Sequence, residues 1–388
     1  MRSVLLWLFL HPLMLVSQDM GQVSKAINQF GMDAGYELSY APDYLISPAS
    51  ISTALGMTYL GAAGITKEQF EKVLYYPKES EILDEFKVFM NVFENTHPGT
   101  TISMANKLWA GQNRIDLNTD FVKKNKDYFR SELEFLDFGN SSASSNTINN
   151  WVADKTDNKI VNLIDPGVIN SDVVLILTNA IYFKSNWAKK FDPKQTRSGK
   201  FTNEQKEKIS VDFMINDGSY QTYEDGTINL IELPYEGEAF SFLIMLPKVS
   251  MKELEDKLIA ENYEQWIASM NKRKFELVQV PRFKSSSRLK LKQMLTDLGM
   301  PNAFQGANFD GMGSARGRIE LSEVVHETYM EFNEEGTEVA AATGVVAESR
   351  SAASAPKRFI ADRPFLYALR HIESNTILFF GKMSNPKY

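Results

Sequence analysis

The sequence predicts one α+β domain running from residue 19 to residue 388. Apolar residues fall at helical spacing through most of the first half of the chain. From Phe201 onward strand-like runs dominate, and no linker or internal repeat separates the halves. The chain has 388 residues, 43% hydrophobic and 23% charged, which is the composition of a soluble globular protein able to bury a large core.

Ahead of the domain, Arg2 precedes an apolar run from Val4 to Val16, and Ser17, Gln18 and Asp19 follow. That order is a secretory signal peptide. The run is broken by His11 and Pro12 and is too short to span a bilayer. Residues 1–18 are therefore expected to be removed and the mature chain to be secreted. No later segment is apolar enough to span a membrane.

The first helix is expected within Asp19–Tyr40, on Val23, Ile27, Phe30 and Met32. Ser47 followed by Pro48 marks the start of a second, with a serine cap and a proline at the first helical position. Its residues through Met57 are mostly small, so it should pack closely in the core. Gly61 and Gly64 should end it, and Thr66 should cap a helix through Phe70, Val73 and Leu74. Further helices are expected over 81–95 and 121–129, with a strand over 101–110 between them. The Ser/Asn-rich stretch 141–150 reads as a capping loop before a helix resumes at Ile148–Val152. Asn140-Ser141-Ser142 is the only N-x-[ST] sequon, either a glycan site in a secreted chain or an unoccupied polar loop.

Val173–Phe183 is almost unbroken apolar and rich in β-branched residues, the pattern of a strand buried on both faces. Strands follow at 228–233, 239–246 and 275–280, with one helix on Leu254, Leu258, Tyr263 and Ile267. A short helix over Leu289–Leu298 should stop at Gly299. Strands at 359–360, 365–367 and 376–380 close the chain.

Composition excludes several functions. A net charge of −7 leaves no footprint for nucleic acid. The chain has no cysteine, which removes thiol catalysis and cysteine-ligated metals. There is no G-x-S-x-G elbow. His326-Glu327-Thr328-Tyr329-Met330 starts like a zinc-protease helix but lacks the second histidine, so His326 reads as a buried hydrogen-bonding group. No catalytic residue, metal or cofactor is indicated, and the chain is not expected to be an enzyme.

The informative stretch is Glu334-Glu335-Gly336-Thr337-Glu338-Val339-Ala340-Ala341-Ala342-Thr343-Gly344, continuing to Arg350-Ser351. It contains no aromatic or long aliphatic side chain before Arg350, and no proline. Thr337, Val339, Ala341, Thr343, Val345 and Ala347 alternate onto one small or apolar face, as an inserted central strand would require. Twelve or so such residues would span about 40 Å.

This stretch resembles the hinge of inhibitory serpins. Other segments match that family in order: Ser47-Pro48-x-Ser50-Ile51; Trp151-Val152 with Thr156 and Lys159-Ile160; Asn179–Lys184 with Trp187; Glu232-Leu233-Pro234-Tyr235; Pro281-Arg282-Phe283; Asp362-x-Pro364-Phe365; and Phe380-Gly381 with Asn385-Pro386. The match covers residues 20–388. It implies the serpin fold, an α+β fold with three β-sheets, about nine helices and an exposed reactive-centre loop, here about 334–358. It also implies suicide inhibition. A serine protease cleaves the loop, stays attached as an acyl-enzyme, and is carried across the molecule as the loop inserts into the central sheet.

By the same resemblance the hinge is Glu334, Glu335, Gly336, Thr337, Glu338, Val339, Ala340, Ala341 and Ala342. Counting fourteen on from Gly336 puts the reactive bond at Arg350-Ser351. An arginine there suits trypsin-like proteases, whose pocket carboxylate pairs bidentately with guanidinium. Lys357 and Arg358 lie too far along the loop to match. The region that gates the loop's insertion would include Ser47, Ser50, Asn179, Trp187 and His326. The implied partner is a trypsin-like serine protease in a covalent 1:1 complex, with no nucleic acid or membrane, and the chain itself a monomer.

The basic helix with which some serpins bind polyanions has no counterpart here. Its region, 73–95, sets Lys78 and Lys87 against Glu79, Glu81, Asp84 and Glu85. Lys123-Lys124-x-Lys126 and Lys272-Arg273-Lys274 read as solvated faces. Departures from the family pattern are Val339, Phe332-Asn333, Glu327 and Asp157-Asn158. The missing cysteines, the signal peptide and the short polar loops resemble secreted arthropod members. The alternative within the family is a non-inhibitory carrier, hormone precursor or chaperone, against which the small hinge residues speak.

Overall fold

In the computed structural model, residues 21–315, 319–321, 324–337 and 357–388 are described. Among these residues the chain forms nine α-helices and three sheets. Helices Gly21–Glu37, Pro48–Tyr59, Gly64–Val73, Glu79–Glu94, Thr119–Phe129 and Ser141–Lys155 lie before residue 175, and the β-rich part follows.

The six-stranded sheet runs in the order Phe283–Lys290, Val325–Phe332, Gly336–Thr337, Leu175–Asn186, Thr100–Gly111, Glu132–Leu136. A nine-stranded sheet passes from Tyr44–Ile46 through Thr376–Met383, Phe365–His371, Phe240–Pro247, Ile228–Pro234 and the long strand Lys208–Glu224 to Asn271–Pro281 and Lys357–Ile360. The strand Arg197–Thr202 pairs only with the long strand and so forms an edge. The third sheet joins Ile115–Leu117 to Gly313–Ala315. One large apolar cluster unites Val23, Ile27 and Phe30 of the first helix with Phe242, Tyr367 and Phe380 of the long sheet and Phe283 and Phe332 of the shorter one.

The helix Pro48–Tyr59 begins as predicted: the Ser47 side chain accepts from Ser50 N at 3.1 Å and Pro48 opens the first turn. Its small residues allow the close packing expected of them. A Cβ on Gly56 would stand 2.9 Å from the Phe129 ring.

Several local expectations are corrected. Thr66 does not cap the third helix, which starts at Gly64 with Ala63 at the cap position and no side-chain cap. Thr66 lies inside the first turn, buried, where its hydroxyl accepts from Asn308 N at 3.0 Å. The Ser/Asn-rich stretch is helix from Ser141, because Asn140 caps it by accepting from Ala143 N at 3.2 Å. The helix expected over 254–267 is two, Met251–Lys257 and Ala260–Ala268. Ile259 is extended between them, and the Asn262 side chain donates to Lys257 O at 2.7 Å across the break. The helix before Gly299 spans only Lys292–Leu298, because Leu289 and Lys290 complete a strand. Leu175–Asn186 is not buried along both faces; Leu175, Ile176 and Leu177 are half-buried and burial alternates beyond them.

Candidate functional site

The strands Leu175–Asn186 and Val325–Phe332 stand on either side of one short strand in the six-stranded sheet, and among the described residues they share no direct pairing. Gly336–Thr337 lies between them, Phe332 opposite Thr337, Gly336 opposite Asn186 and Thr337 opposite Ser185. A cleft continues the line of Thr337, lined by Ile181, Phe183, Met330 and Glu331 of the strands and by Thr156 and Ile160 beyond the helix Ser141–Lys155.

The reversal that delivers Thr337 is built by Asn333. Its side-chain oxygen accepts from Glu335 N at 3.0 Å and Gly336 N at 3.3 Å, and its own N–H donates to Gly336 O at 3.0 Å. This gives a role to Asn333, part of the Phe332-Asn333 departure from the family pattern. Gly336 must be glycine because a Cβ there would lie 1.9 Å from Ser185 O.

Trp187 closes this junction from the adjoining segment. Its indole N–H donates to Asn333 O at 2.8 Å and its backbone N–H to Glu335 O at 2.9 Å. The indole stacks on Tyr235 with centroids 4.5 Å apart and meets Phe332 edge-on at 5.1 Å. The Tyr235 hydroxyl pairs with the Thr337 hydroxyl at 2.6 Å, and burial pushes its pKa well up, so it stays protonated.

Two acids flank the turn. Glu334 accepts from the Thr196 hydroxyl at 2.6 Å and lies 3.7 Å from the Arg282 guanidinium, which also holds Asp212 at 2.8 Å. Glu335 pairs with Lys190 at 2.6 Å. Tyr388 packs beneath, its ring flanked by Arg282 at 4.4 Å and Lys284 at 4.7 Å. Its hydroxyl donates to Glu331 at 2.5 Å and accepts from the Asn333 amide at 3.4 Å.

A second junction lies further down the same two strands. The start of the helix Pro48–Tyr59 bridges them. Ser47 N donates to His326 Nε2 at 2.9 Å, and the Ser47 hydroxyl donates to Leu378 O at 2.6 Å. The Ser50 hydroxyl hydrogen-bonds Asn179 Oδ1. The Asn179 amide donates to Asn106 Oδ1 at 2.6 Å, and the Asn106 amide to Phe129 O at 2.6 Å. His326 is buried, which lowers its pKa to about 3, so it is the neutral acceptor that Ser47 needs.

The structure thus gathers Ser47, Ser50, Asn179 and His326 into one network and places Trp187 apart, at the mouth with Glu334, Glu335, Gly336 and Thr337. Glu338, Val339, Ala340, Ala341, Ala342, Arg350, Ser351 and the signal-peptide residues lie outside the described residues. Asn140 is exposed. Lys123 and Lys124 are ion-paired with Asp127 at 2.9 Å and Glu79 at 3.0 Å, as on a solvated face. Asp157 and Asn158 take left-handed φ values of 50° and 59°, the conformation glycine would provide there. Among the described residues no group of His, Asp and Glu is placed to hold a metal.

Sequence reasoning missed Asn106, Thr196 and Tyr388 altogether. It quoted Tyr235 and Arg282 only as parts of motifs. The Tyr235 motif, a polar-ended aromatic after a Pro, was a usable signal for a buried hydroxyl needing a partner. Thr196 and Tyr388 carry no comparable mark.

Comparison with known proteins gives the class that this arrangement defines. Residues 25–386 match the family described as Serpin (serine protease inhibitor). Human Serpin B3 is 33% identical over 95% of this chain and 100% of its own length. Among solved structures, the thermophilic serpin tengpin in its native state superposes with a TM-score of 0.85, 25% identity and 93% of each chain covered. A thyroxine-binding globulin complex with thyroxine gives 0.83 and 25%, covering 94% of this chain and 99% of the other. The chain belongs to the serpin family. Serpins are in general protease inhibitors rather than enzymes, and their partners are serine proteases, although relatives of this chain include non-inhibitory members.

Proposed function

We propose that this protein is a secreted suicide inhibitor of trypsin-like serine proteases. The reading rests foremost on the mouth of the six-stranded sheet. Gly336–Thr337 already occupies the position between Leu175–Asn186 and Val325–Phe332, and a cleft continues below it. A strand extending from Thr337 would run between two strands that share no direct pairing among the described residues. The residues that follow, to Ser349, are free of proline; Val339, Ala341, Thr343, Val345 and Ala347 give one small or apolar face, and the opposite face carries Glu338 and Glu348 only at its ends, which is compatible with a central strand.

The catalytic serine of the protease attacks the Arg350 carbonyl. The peptide bond to Ser351 breaks, the new amine takes a proton, and Arg350 is left as an ester of the enzyme. Insertion of the freed strand releases the strain of the uncleaved state before water hydrolyses that ester. Arginine at the cleaved bond supports a target whose pocket ends in a carboxylate. Secretion is supported by the signal-peptide pattern of residues 1–18, and Asn140 would then be an exposed glycan acceptor.

Incubation with trypsin followed by denaturing electrophoresis tests the reading. A covalent band near the summed masses is expected, and Arg350→Ala should abolish it. Complete cleavage without a band would favour the non-inhibitory reading that the thyroxine-binding relative represents.

A further inference from the structure

We propose that the outward face of the edge strand Arg197–Thr202, with the adjoining Lys208 and Ser210, is a docking surface for an acidic patch on the attacking protease. The inference rests on the inhibitory reading above.

Register defines the face. Ser198 stands opposite Asp212, Lys200 opposite Ser210 and Thr202 opposite Lys208. The Ser198 and Ser210 hydroxyls meet at 2.9 Å, while Phe201, Val211 and Phe213 are buried on the other side. Lys200 and Lys208 are therefore diagonal neighbours on one exposed face. Lys194, Arg197 and Lys206 flank it, also exposed.

None of these five bases is in an ion pair among the described residues. Of the acids nearby in sequence, one is ion-paired elsewhere and two hold neutral local groups. Glu204 pairs with Lys382 at 3.3 Å, Glu207 accepts from the Asn203 amide at 3.1 Å, and Asp192 caps a turn by accepting from Lys194 N at 2.9 Å. Glu207 and Asp192 keep their charge on neutral partners and Asp212 is held by Arg282, so five bases against two unpaired acids leave an excess of positive charge on a chain whose net charge is −7.

Its placement assigns the partner. At one end of the strand Thr196 holds Glu334, at the start of the hinge that leads into the loop. At the other end Thr202 N donates to the carbonyl of Asp362 at 2.8 Å, just after the strand Lys357–Ile360. The basic face thus lies between the two anchors of the loop that the protease attacks. A complementary charge there would raise encounter rates by about 10-fold to 1000-fold, and salt would screen it.

The test separates docking from trapping. Association of the full chain would be followed with trypsin made inactive by changing its catalytic serine to alanine, either unmodified or with its surface lysines succinylated to carboxylates. The wild-type chain should bind the succinylated form about tenfold faster at low salt. The advantage should vanish near 0.5 M salt, and in Lys200→Glu/Lys208→Glu. It should persist in Lys126→Glu/Lys290→Glu, a control with the same charge change away from the loop anchors. Equal rates for the two trypsins, or an unchanged advantage in the first double variant, would overturn the proposal and leave the lysines as protection of a sheet edge. Heparin binding that depends on Lys200 and Lys208, without sensitivity to protease charge, would overturn it in favour of a polyanion site. Active trypsin reads the underlying function separately. Charge-dependent docking without a covalent band would sink the inhibitory reading alone, and a band with charge-independent docking would sink this inference alone.

Discussion

At the mouth of the sheet, strands Leu175–Asn186 and Val325–Phe332 are joined through an aromatic stack, two acid–base pairs and the short strand Gly336–Thr337. Lower down they are joined through neutral groups, Ser47, Ser50, Asn179 and His326, with a helix start between them. The mouth is partly exposed: the side chains of Lys190 and Arg282 retain 37% and 30% of their accessible surface. In the lower network Ser47, Ser50, Asn106 and His326 are buried and Asn179 is half-buried. Charge at a wet site is cheap to break and sensitive to salt, whereas unpaired neutral polar groups in a dry site are costly. The mouth thus depends on one aromatic stack and on part-exposed charge that salt can weaken, and the lower junction on neutral hydrogen bonds that salt should leave alone.

The largest effect should come from removing the one apolar fastening at the mouth. Trp187→Ala loses the stack on Tyr235 and the contact with Phe332, and frees the Asn333 carbonyl. Destabilisation of about 4 kcal/mol is expected in urea unfolding. A loss under about 1 kcal/mol would mean that the mouth does not depend on its aromatic packing.

Asn179→Ala comes next. It strands the buried Asn106 carbonyl oxygen and Ser50 hydroxyl beside a half-buried position, at about 2 kcal/mol. The loss should be the same at low and high salt. A salt-dependent loss would break the contrast between the two junctions.

Acid tests the same network without mutation. His326 has its folded pKa lowered to about 3 by burial, and His371 to about 4 by burial, with the nearby His97 and Arg370 charges adding to the effect. Both are neutral in the fold and take up protons on unfolding below about pH 6.5, so their stabilisation is complete above that value and is lost as pH falls toward the folded pKa. Each should remove about 2 kcal/mol by pH 5. His326→Gln should flatten the decline between pH 7 and pH 5 by about half; an unchanged slope would show that His326 does not titrate in this way.

The sequence made the lower network easier to read than the mouth. Ser47-Pro48 announces a capped helix start by local rules, whereas at the mouth only Gly336, in its acidic, small-residue setting, carries a local mark. Partners joined across the fold leave no such trace. Thr196 meets Glu334 across 138 residues and Trp187 meets Asn333 across 146. The split at Ile259 was missed for a related reason. Leu254, Leu258, Tyr263 and Ile267 keep a helical rhythm although the backbone breaks between them, so periodicity reported the buried side and not the path.

Glu334→Gln should be milder than Asn179→Ala. It keeps an oxygen for the Thr196 hydroxyl but removes the attraction to a part-exposed Arg282, at about 0.5–1 kcal/mol near physiological salt and less at 1 M. An equal loss at both salt levels would place this pair with the buried junction below.

Tyr388→Phe should have the smallest effect and sharpens the comparison most finely. The ring stays between Arg282 and Lys284, so its packing and cation–π contacts survive. Only the hydroxyl is lost, and with it one bond to Glu331 and a long one from Asn333. Hydrogen bonds from Tyr388, Tyr329 and Asn333, together with the Lys284 charge, hold the Glu331 pKa below the usual carboxylate range against the opposing effect of burial, so the carboxylate is ionised at neutral pH. Lys284, at 3.7 Å, would still pair with it. The expected loss is about 0.5–1 kcal/mol. A loss matching that of Asn179→Ala would mean that the hydroxyl, and not the aromatic stack, secures the mouth.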